Sequence, residues 1–477
     1  MNGATGGTQH FGGYRAYLLT PTGDGRAFTA PCIITYSELL IHEKIFAGSG
    51  CTLSVPIPLR KKRITIWVWL IRITTYTKLI LPNTALSRRE KWLYFVGFST
   101  GHGAVCFPFG AMWLLAPAIA TSYGLSPTQI GYLFTGMILG SGFTHIPAAL
   151  IGETHLRQQL LPLTLYLVAA CYFLGSGMGH YLFFFTFMVM GAVAAAAWHP
   201  VAMGVLTEQM PNRKAFALGI HFIGGSVAEV IAPITVGFVL AILDWRQVMQ
   251  GTILPALILG TVFLRMAKYV QLPSHGSFRF GDIKLTLGQM GRPVSVLMFL
   301  VLGFHSMGIM GLFTMVPLYL QSERGFSPSL TGSLFSLMIL LGAVGAPVLG
   351  TLTDSRLQRK VIFFSLLGSV GATLVIVFGT SLSQLIIGII LIGFLLLGLR
   401  PSLVAMLLGV VRGRHTTVMG IVLASSEIVG AFGSLLSGMI GSFDLSLSIL
   451  LVGGLAGLSA LLLCVLPSGQ ANAPEVI

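Results

Sequence analysis

Twelve long runs of predominantly apolar residues limit the folds that this sequence can adopt. Each run can cross the hydrocarbon core of a bilayer, which takes about 20 residues in a helix. Hydrocarbon offers no partner for an unpaired backbone group, and the runs are too long for barrel strands, so each must be helical. The runs comprise residues 92–120, 129–151, 160–178, 181–206, 216–243, 249–266, 294–320, 330–352, 361–378, 385–411, 418–440 and 445–466. The sequence therefore predicts an all-α membrane protein with about twelve transmembrane helices.

The scarcity of charged residues excludes a water-soluble fold. Only 9% of the 477 residues are charged, against roughly 25% in soluble domains. The net charge of +14 does not indicate a nucleic-acid partner. The basic residues concentrate at helix ends and near the N-terminus, where they face anionic lipid and set topology.

No catalytic or metal-ligating pattern stands out in the sequence. Its cysteines are scattered, without a Cys-x-x-Cys pair or the His–Cys spacing of a structural zinc site: Cys32, Cys51, Cys106, Cys171 and Cys464. A GxxxxGK[ST] phosphate loop and a GxSxG motif are also absent, so neither ATP-driven transport nor hydrolysis is indicated. We therefore predict a protein that is not an enzyme and that has no metal site or cofactor.

The second half of the chain repeats the first at a constant offset of 201 residues. The matched residues include Ser126 with Ser327, Pro127 with Pro328, Gly131 with Gly332, Glu153 with Asp354, Pro200 with Pro401, Arg213 with Arg414 and Gly237 with Gly438. This register holds without a gap over more than 100 residues, which indicates a parallel duplication. The predicted units are six-helix bundles at 91–266 and 293–467, a linker at 267–292 and a tail at 468–477.

Residues 1–90 do not share this pattern. They hold 11 of the 28 Lys and Arg residues, and their apolar run at 64–81 is broken by Arg72 and Lys78. A central Arg or Lys costs about 2.5 to 3.5 kcal/mol on insertion, so we do not count this run as a span. We predict a poorly ordered basic extension or a spurious one from an upstream start codon. An interfacial basic segment and an organelle-targeting sequence are the alternatives.

The loops set the orientation of the predicted helices. Alternate loops carry the basic residues, which are Arg157, Arg213, Lys214, Lys268, Arg279, Lys284, Arg292, Arg356, Arg359, Lys360, Arg412 and Arg414. The other loops carry only Arg246 and Arg324. The positive-inside rule places the first set, both termini and the linker in the cytoplasm. We predict an integral protein of the bacterial inner membrane that is monomeric.

The loop after the eighth run carries a family signature. Two parallel six-helix halves with a basic linker resemble the major facilitator superfamily of secondary transporters. Gly350, Leu352, Asp354 and Arg359 match the superfamily's cytoplasmic loop motif, whereas Ser355, Leu357 and Gln358 depart from it. The first-half copy is more degraded, since Ala149 and Glu153 replace the Gly and the Asp.

The resemblance implies that these loops hold the two halves together on the inside and release them when the carrier opens. An acid there can also face the positive end of a neighbouring helix. The alternative is a solvated loop that only sets orientation. The implied gating residues are Gly350, Asp354, Arg356, Arg359, Lys360, Glu153 and Arg157.

A narrower resemblance points to the fosmidomycin-resistance branch and related drug exporters. It lies in Trp198-His199-Pro200 and in the fifth run, where Gly225, Pro233 and Gly237 share one helical face. A Gly- and Pro-rich fifth helix marks many antiporters of the superfamily, although the usual Gly-Pro pair is absent here. Export is therefore slightly favoured.

Ionisable residues inside the runs are the candidate site, because burying charge in a membrane is costly. His199 and Arg400 share the 201-residue register, and Glu229 and Glu427 lie three residues apart in it. We expect Arg400 and His199 to attract an anionic or polar group, and Glu229 or Glu427 to exchange a proton. The alternative is a set of ion pairs that only fixes helix packing. Weaker candidates are His102, His221 and His305, and His145 is weaker still.

The expected function is secondary active transport of a small, anionic or amphipathic molecule, coupled to a proton gradient. Two six-helix halves would alternate access to a site between them. A passive facilitator and a non-transporting sensor or scaffold are the alternatives. Neither needs the charges buried at Glu229 and Arg400, so the sequence favours coupled transport.

Overall fold

The computed structural model describes residues 15–21, 27–33, 88–154, 156–209, 214–270, 288–355, 357–411 and 415–466. They form two units, a strand pair and a helical bundle, which we describe separately. Strands β1 (Arg15–Pro21) and β2 (Ala27–Ile33) are antiparallel, with Arg15 opposite Ile33. The remainder of residues 1–87 lies outside the described ranges, as do the linker residues 271–287 and the tail, so those predictions stay untested.

The helical unit crosses a membrane thickness twelve times, as the runs predict. Its helices are α1 Arg88–Tyr123, α2 Pro127–Gly152, α3 Arg157–Ser176, α4 Tyr181–Gln209, α5 Lys214–Val239, α6 Trp245–Thr252, α7 Leu254–Met266, α8 Pro293–Leu318, α9 Pro328–Thr353, α10 Gln358–Phe378, α11 Leu382–Ile392, α12 Arg400–Leu408, α13 His415–Gly441 and α14 Leu445–Val465. Together α6 and α7 form the sixth crossing, and α11 and α12 form the tenth. The predicted fold class is confirmed.

The repeated turn sequence explains where α2 and α9 begin. Gly124 and Gly325 have φ angles of 65° and 66°, which glycine adopts without strain. Ser126 and Ser327 then cap the helices by accepting hydrogen bonds from the backbone of the first turn. A proline follows each serine at the first helical position, where its missing N–H costs nothing.

The two sets of six crossings pack in the same way. In the first half, helices α1–α7, α1 packs against α5, and α3 packs against α4 and α7. In the second half, helices α8–α14, the equivalent pairs are α8 with α13, and α10 with α11 and α14. The duplication seen in the sequence is therefore also a duplication of helix contacts.

The halves meet along two seams. The loops with Arg157 and Arg359 lie at one end of the bundle, the basic-loop end, and the closest approaches within the seams lie near the opposite end. In the first seam, α2 packs against α13. A Cβ atom at Gly438 would lie 2.7 Å from the Pro127 carbonyl oxygen, and one at Gly131 would lie 2.8 Å from the Ser434 carbonyl oxygen. Only glycine allows this approach.

The second seam, between α5 and α9, repeats the first. A Cβ atom at Gly237 would lie 2.5 Å from the Pro328 carbonyl oxygen, and Gly332 faces the Pro233 carbonyl in the same way. These four residues stand 201 positions from their counterparts in the first seam. Both seams therefore use the same positions of the repeat.

The tenth crossing is interrupted just before Arg400. A π-helical turn, Gly393–Leu397, separates α11 from α12, and the Gly398 N–H donates to the Gly393 carbonyl oxygen over 3.3 Å. Pro401 weakens the helix here, because a proline ring clashes with the carbonyl four residues before it, here that of Leu397. Such π-helical turns often occur at functional sites.

The two arginines of the sparsely charged loops bind helix ends. Arg246 Nη1 donates to the carbonyl oxygens of Ser176 (2.6 Å) and Met178 (2.9 Å), at the end of α3. Arg324 Nη2 donates to those of Ile376 (2.7 Å) and Val377 (2.8 Å), at the end of α10. Each cation satisfies carbonyls that a helix terminus leaves without donors. The two exceptions to the loop-charge pattern thus have a structural explanation.

We expect Arg246→Ala and Arg324→Ala each to lower the free energy of unfolding by about 1.5–3 kcal/mol, because each removes a charged donor from helix carbonyls. Thermal unfolding of the purified protein in detergent measures the effect as a lower midpoint. Arg265→Ala is the matched control, since Arg265 is an exposed arginine in the last turn of α7. A midpoint of Arg246→Ala equal to that control would contradict the capping role.

Candidate functional site

A cavity of about 350 Å³ lies between the two halves. His199 and Glu229 line it from the first half, and Arg400 and Glu427 line it from the second. The structure thus brings the four main candidates together. Most of the remaining wall is apolar and includes the aromatic residues Phe109, Trp113 and Phe313.

Arg400 and Glu229 face the cavity without fixed partners. Within the described residues, neither side chain makes a hydrogen bond or an ion pair within 4.0 Å. Arg400 lies close enough to interact electrostatically with both Glu229 and Glu427. The Glu229 side chain is exposed to the cavity, so it can exchange protons with water there. This arrangement leaves one cation and one carboxylate available to a ligand.

Glu427 differs from Glu229 because it has partners across the first seam. His145 Nε2 lies 3.0 Å from Glu427 Oε2, and the Ser141 hydroxyl donates to the same oxygen over 3.5 Å. Both partners are on α2, whereas Glu427 is on α13. The contact therefore ties the two halves together at the depth of the cavity.

Three of the candidate histidines cluster on the first half. The rings of His102 and His221 stack with centroids 4.1 Å apart, and His199 meets His102 edge to face at 4.8 Å. His102 Nδ1 lies 2.8 Å from the His221 carbonyl oxygen. The indole of Trp198 stacks on His221 with centroids 5.5 Å apart. Of these residues only His199 reaches the cavity lining.

His305 lies apart from this cluster, on α8 of the second half. It is fully buried, and its Nε2 donates to the Leu396 carbonyl oxygen in the π-helical turn over 2.8 Å. A carbonyl in such a turn needs a donor from outside its own helix. His305 therefore contacts the element that carries Arg400, and it is not part of the cavity lining.

Two of the predicted gating residues, Arg157 and Arg359, have a partner in their own half. Arg157 pairs with Glu208, with Nη1 2.5 Å from Oε2, and Arg359 Nη2 donates to the Cys464 carbonyl oxygen over 2.7 Å. Exposed side chains occur at Glu153, Asp354 and Lys360, and the space around the Cα of Gly350 is open. Arg356 lies outside the described residues. Among the described residues the halves are joined at the opposite end, so gating by these loops stays a prediction.

Sequence reasoning underrated two residues of the site. His145 pairs with Glu427, and Cys106 lines the cavity within 4.8 Å of ligand atoms of His102 and His199. The four-residue spacing of His102 and Cys106 places both on one face of α1. This spacing differs from that of structural zinc sites, so the sequence did not indicate a metal site there. Nothing in the sequence pairs His145 with Glu427, which lies 282 residues away.

Comparisons with known proteins agree with this architecture. The sequence profile of the Major Facilitator Superfamily matches residues 98–358 and 298–475. A protein of Haemophilus influenzae described as "Putative metabolite transport protein" is 23% identical over 306 residues, which cover 61% of this chain and 74% of that protein.

Solved structures resemble the helical unit in fold. A bacterial homolog of the human lysosomal transporter Spinster, in an inward-facing conformation, has a TM-score of 0.69 at 16% identity, covering 79% of this chain and 97% of its own. The nucleoside transporter NupG has a TM-score of 0.61 at 10% identity, covering 78% and 98%. These likenesses show the fold alone, while the profile match spans most of the chain. The chain therefore belongs to the Major Facilitator Superfamily.

Proposed function

We propose that this protein is a proton-coupled secondary transporter that moves a small molecule with an anionic group through the central cavity. The observation that carries the proposal is that Arg400 and Glu229 line one cavity from different halves and have no hydrogen-bond or ion-pair partner within the described residues. The relatives described as transporters support transport in general. The proposals of proton coupling and of an anionic substrate depend on the charged residues of the cavity.

Arg400 is the proposed substrate anchor. A guanidinium without a carboxylate partner inside a membrane protein is energetically unfavourable, and a bound anion would offset part of that free energy. The apolar and aromatic wall around it suits the rest of an organic molecule. A scaffold would need neither the cation nor the cavity.

Glu229 is the proposed proton carrier. The low polarity of a cavity enclosed by a membrane protein favours the neutral form of a carboxyl group, and a nearby cation favours its ionised form. An anion bound at Arg400 would weaken the influence of that cation on Glu229. Substrate arrival would then promote proton uptake, which is the linkage that symport of substrate and proton requires.

Glu427 and His145 are proposed to hold the halves in the present arrangement. Their contact joins α2 to α13, and alternating access requires the seams to open. Export is favoured only by the Gly- and Pro-rich fifth helix, so the direction of transport stays a prediction.

Reconstitution into liposomes that enclose a pH-sensitive dye tests the function. Compounds that raise the thermal midpoint of the purified protein are first selected from a panel of small carboxylates, phosphates and neutral amphipathic molecules. We expect a selected anion to accumulate when a pH gradient is applied, with matching proton movement. Equal flux with and without the gradient would identify a passive facilitator, and no flux would contradict transport.

The same screen tests the anchor. Arg400→Gln should abolish stabilisation by the selected anion, because it removes the only charge that the proposal assigns to anion binding. Arg265→Gln, at an exposed helix end, is the matched control. Undiminished stabilisation of Arg400→Gln would show that the anion binds elsewhere.

A further inference from the structure

We infer that His102, Cys106 and His199 form a binding site for a divalent transition-metal ion of the Zn²⁺ class on the first-half wall of the cavity. One ligand atom from each residue lies within 4.8 Å of those of the other two. Bond lengths of about 2.0–2.1 Å to nitrogen and 2.3 Å to sulfur bring the ligands of a tetrahedral ion to about 3.5 Å from one another. An ion would therefore draw the three side chains together by about 1 Å, a movement that side-chain torsions can supply.

Helix geometry holds the three ligands in place. His102 and Cys106 are four residues apart on α1, so their side chains lie one above the other on the same face. His199 approaches from α4, and its ring meets that of His102 edge to face. Because Cys106 and His199 both line the cavity, an ion can reach the site from the cavity.

The hydrogen bond of His102 leaves its Nε2 for a metal ion. Its Nδ1 lies 2.8 Å from the His221 carbonyl oxygen. A carbonyl can only accept a hydrogen bond, so the proton is on Nδ1 and the lone pair is on Nε2. Metal-bound histidines commonly donate their second ring N–H to a backbone carbonyl, which fixes the tautomer and ring orientation.

His221 gives an independent indication that a ligand belongs here. Its side chain is fully buried, and neither ring nitrogen has a hydrogen-bond partner among the described residues. It stacks directly on His102, with ring planes 7° apart. A buried polar group without a partner is costly and calls for an explanation such as an unseen ion. His221 lies beside the ion site and can serve as a further ligand after rotation.

The chemistry of the site selects the class of ion. Two imidazoles and a thiol suit Zn²⁺ and Co²⁺, whereas Mg²⁺ and Ca²⁺ prefer oxygen ligands. Glu229 and Glu427 both interact electrostatically with Cys106, so two carboxylates lie close enough to attract a divalent cation. Water from the cavity can complete a four-coordinate site.

Titration of the full-length purified protein with Co²⁺ alone tests the site. We expect one Co²⁺ per chain with the charge-transfer absorption that a thiolate ligand produces. Cys106→Ser should abolish that absorption. His199→Gln should weaken Co²⁺ binding by more than roughly tenfold, which is what loss of even an outer-shell partner costs. The control is Cys464→Ser, an exposed cysteine at a helix end, which should keep both signals.

Unchanged absorption in Cys106→Ser, or unchanged affinity in His199→Gln, would overturn the site, and so would a wild-type protein that binds no Co²⁺. Thermal midpoints equal to that of the wild type would show that the variants are folded, and Cys106→Ala serves if the serine variant is not. The measurement involves no transport. A protein that binds Co²⁺ but moves no protons would keep the metal site and contradict only the proposed function.

Discussion

Replacing Glu229 with glutamine is expected to abolish proton-coupled transport while leaving substrate binding intact. The amide has the size of the carboxyl group but cannot take up or release a proton. Glu229 is exposed to the cavity and has no ion-pair partner among the described residues, so the change breaks no contact there. Dye-reported proton movement should fall to the level of protein-free liposomes. Stabilisation by the anion, which depends on Arg400, should persist.

Two further substitutions make this result specific. Glu323→Gln changes an exposed carboxylate at the end of the bundle opposite the basic loops. This variant should transport normally. Glu427→Gln removes the carboxylate that contacts His145 and should weaken the connection between the halves. If Glu229→Gln and Glu427→Gln both retained uptake driven by the pH gradient, neither carboxylate would be the proton carrier.

Joining the halves by a disulfide at the first seam is expected to stop transport completely and reversibly. Thr128 Oγ1 and Ser442 Oγ lie 2.7 Å apart across the α2–α13 seam, so cysteines at these positions can meet. In an oxidised Thr128→Cys/Ser442→Cys variant, the two halves could not separate at the end of the bundle opposite the basic loops. Flux in liposomes should therefore vanish after oxidation and return after treatment with a thiol reductant.

The single variants, Thr128→Cys and Ser442→Cys, are the controls, because the chain already contains five cysteines. Each should transport equally well before and after oxidation. If the double variant formed its disulfide, as shown by an altered electrophoretic mobility, and still transported at the normal rate, the seam would not need to open. Alternating access between these halves would then be wrong.

The sequence predicted the fold well because hydrocarbon permits few structures. Apolar run length gave the number of crossings, and the 201-residue register identified the equivalent helices. The same register drew attention to His199 and Arg400, which the structure places on one cavity together with Glu229 and Glu427. Their roles in transport stay predictions.

Contacts between helices could not be predicted in the same way. The pairing of His145 with Glu427 depends on how α2 meets α13, and an apolar run does not reveal which of its faces a distant helix covers. The approach of His199 to Cys106 likewise depends on the packing of α4 against α1. The interruption before Arg400 was not predicted, because a run of hydrophobic residues does not reveal a π-helical turn within it.

The seams built on Gly131 with Gly438 and on Gly332 with Gly237 have a mechanical consequence. Since backbone meets backbone there, few side chains must change rotamer when the surfaces part. Because the two seams use equivalent positions of the repeat, the same tilt of one half against the other should separate each of them. The two halves are then expected to rotate as rigid bodies about an axis between the seams. Neither seam should stay closed and act as a hinge while the other opens.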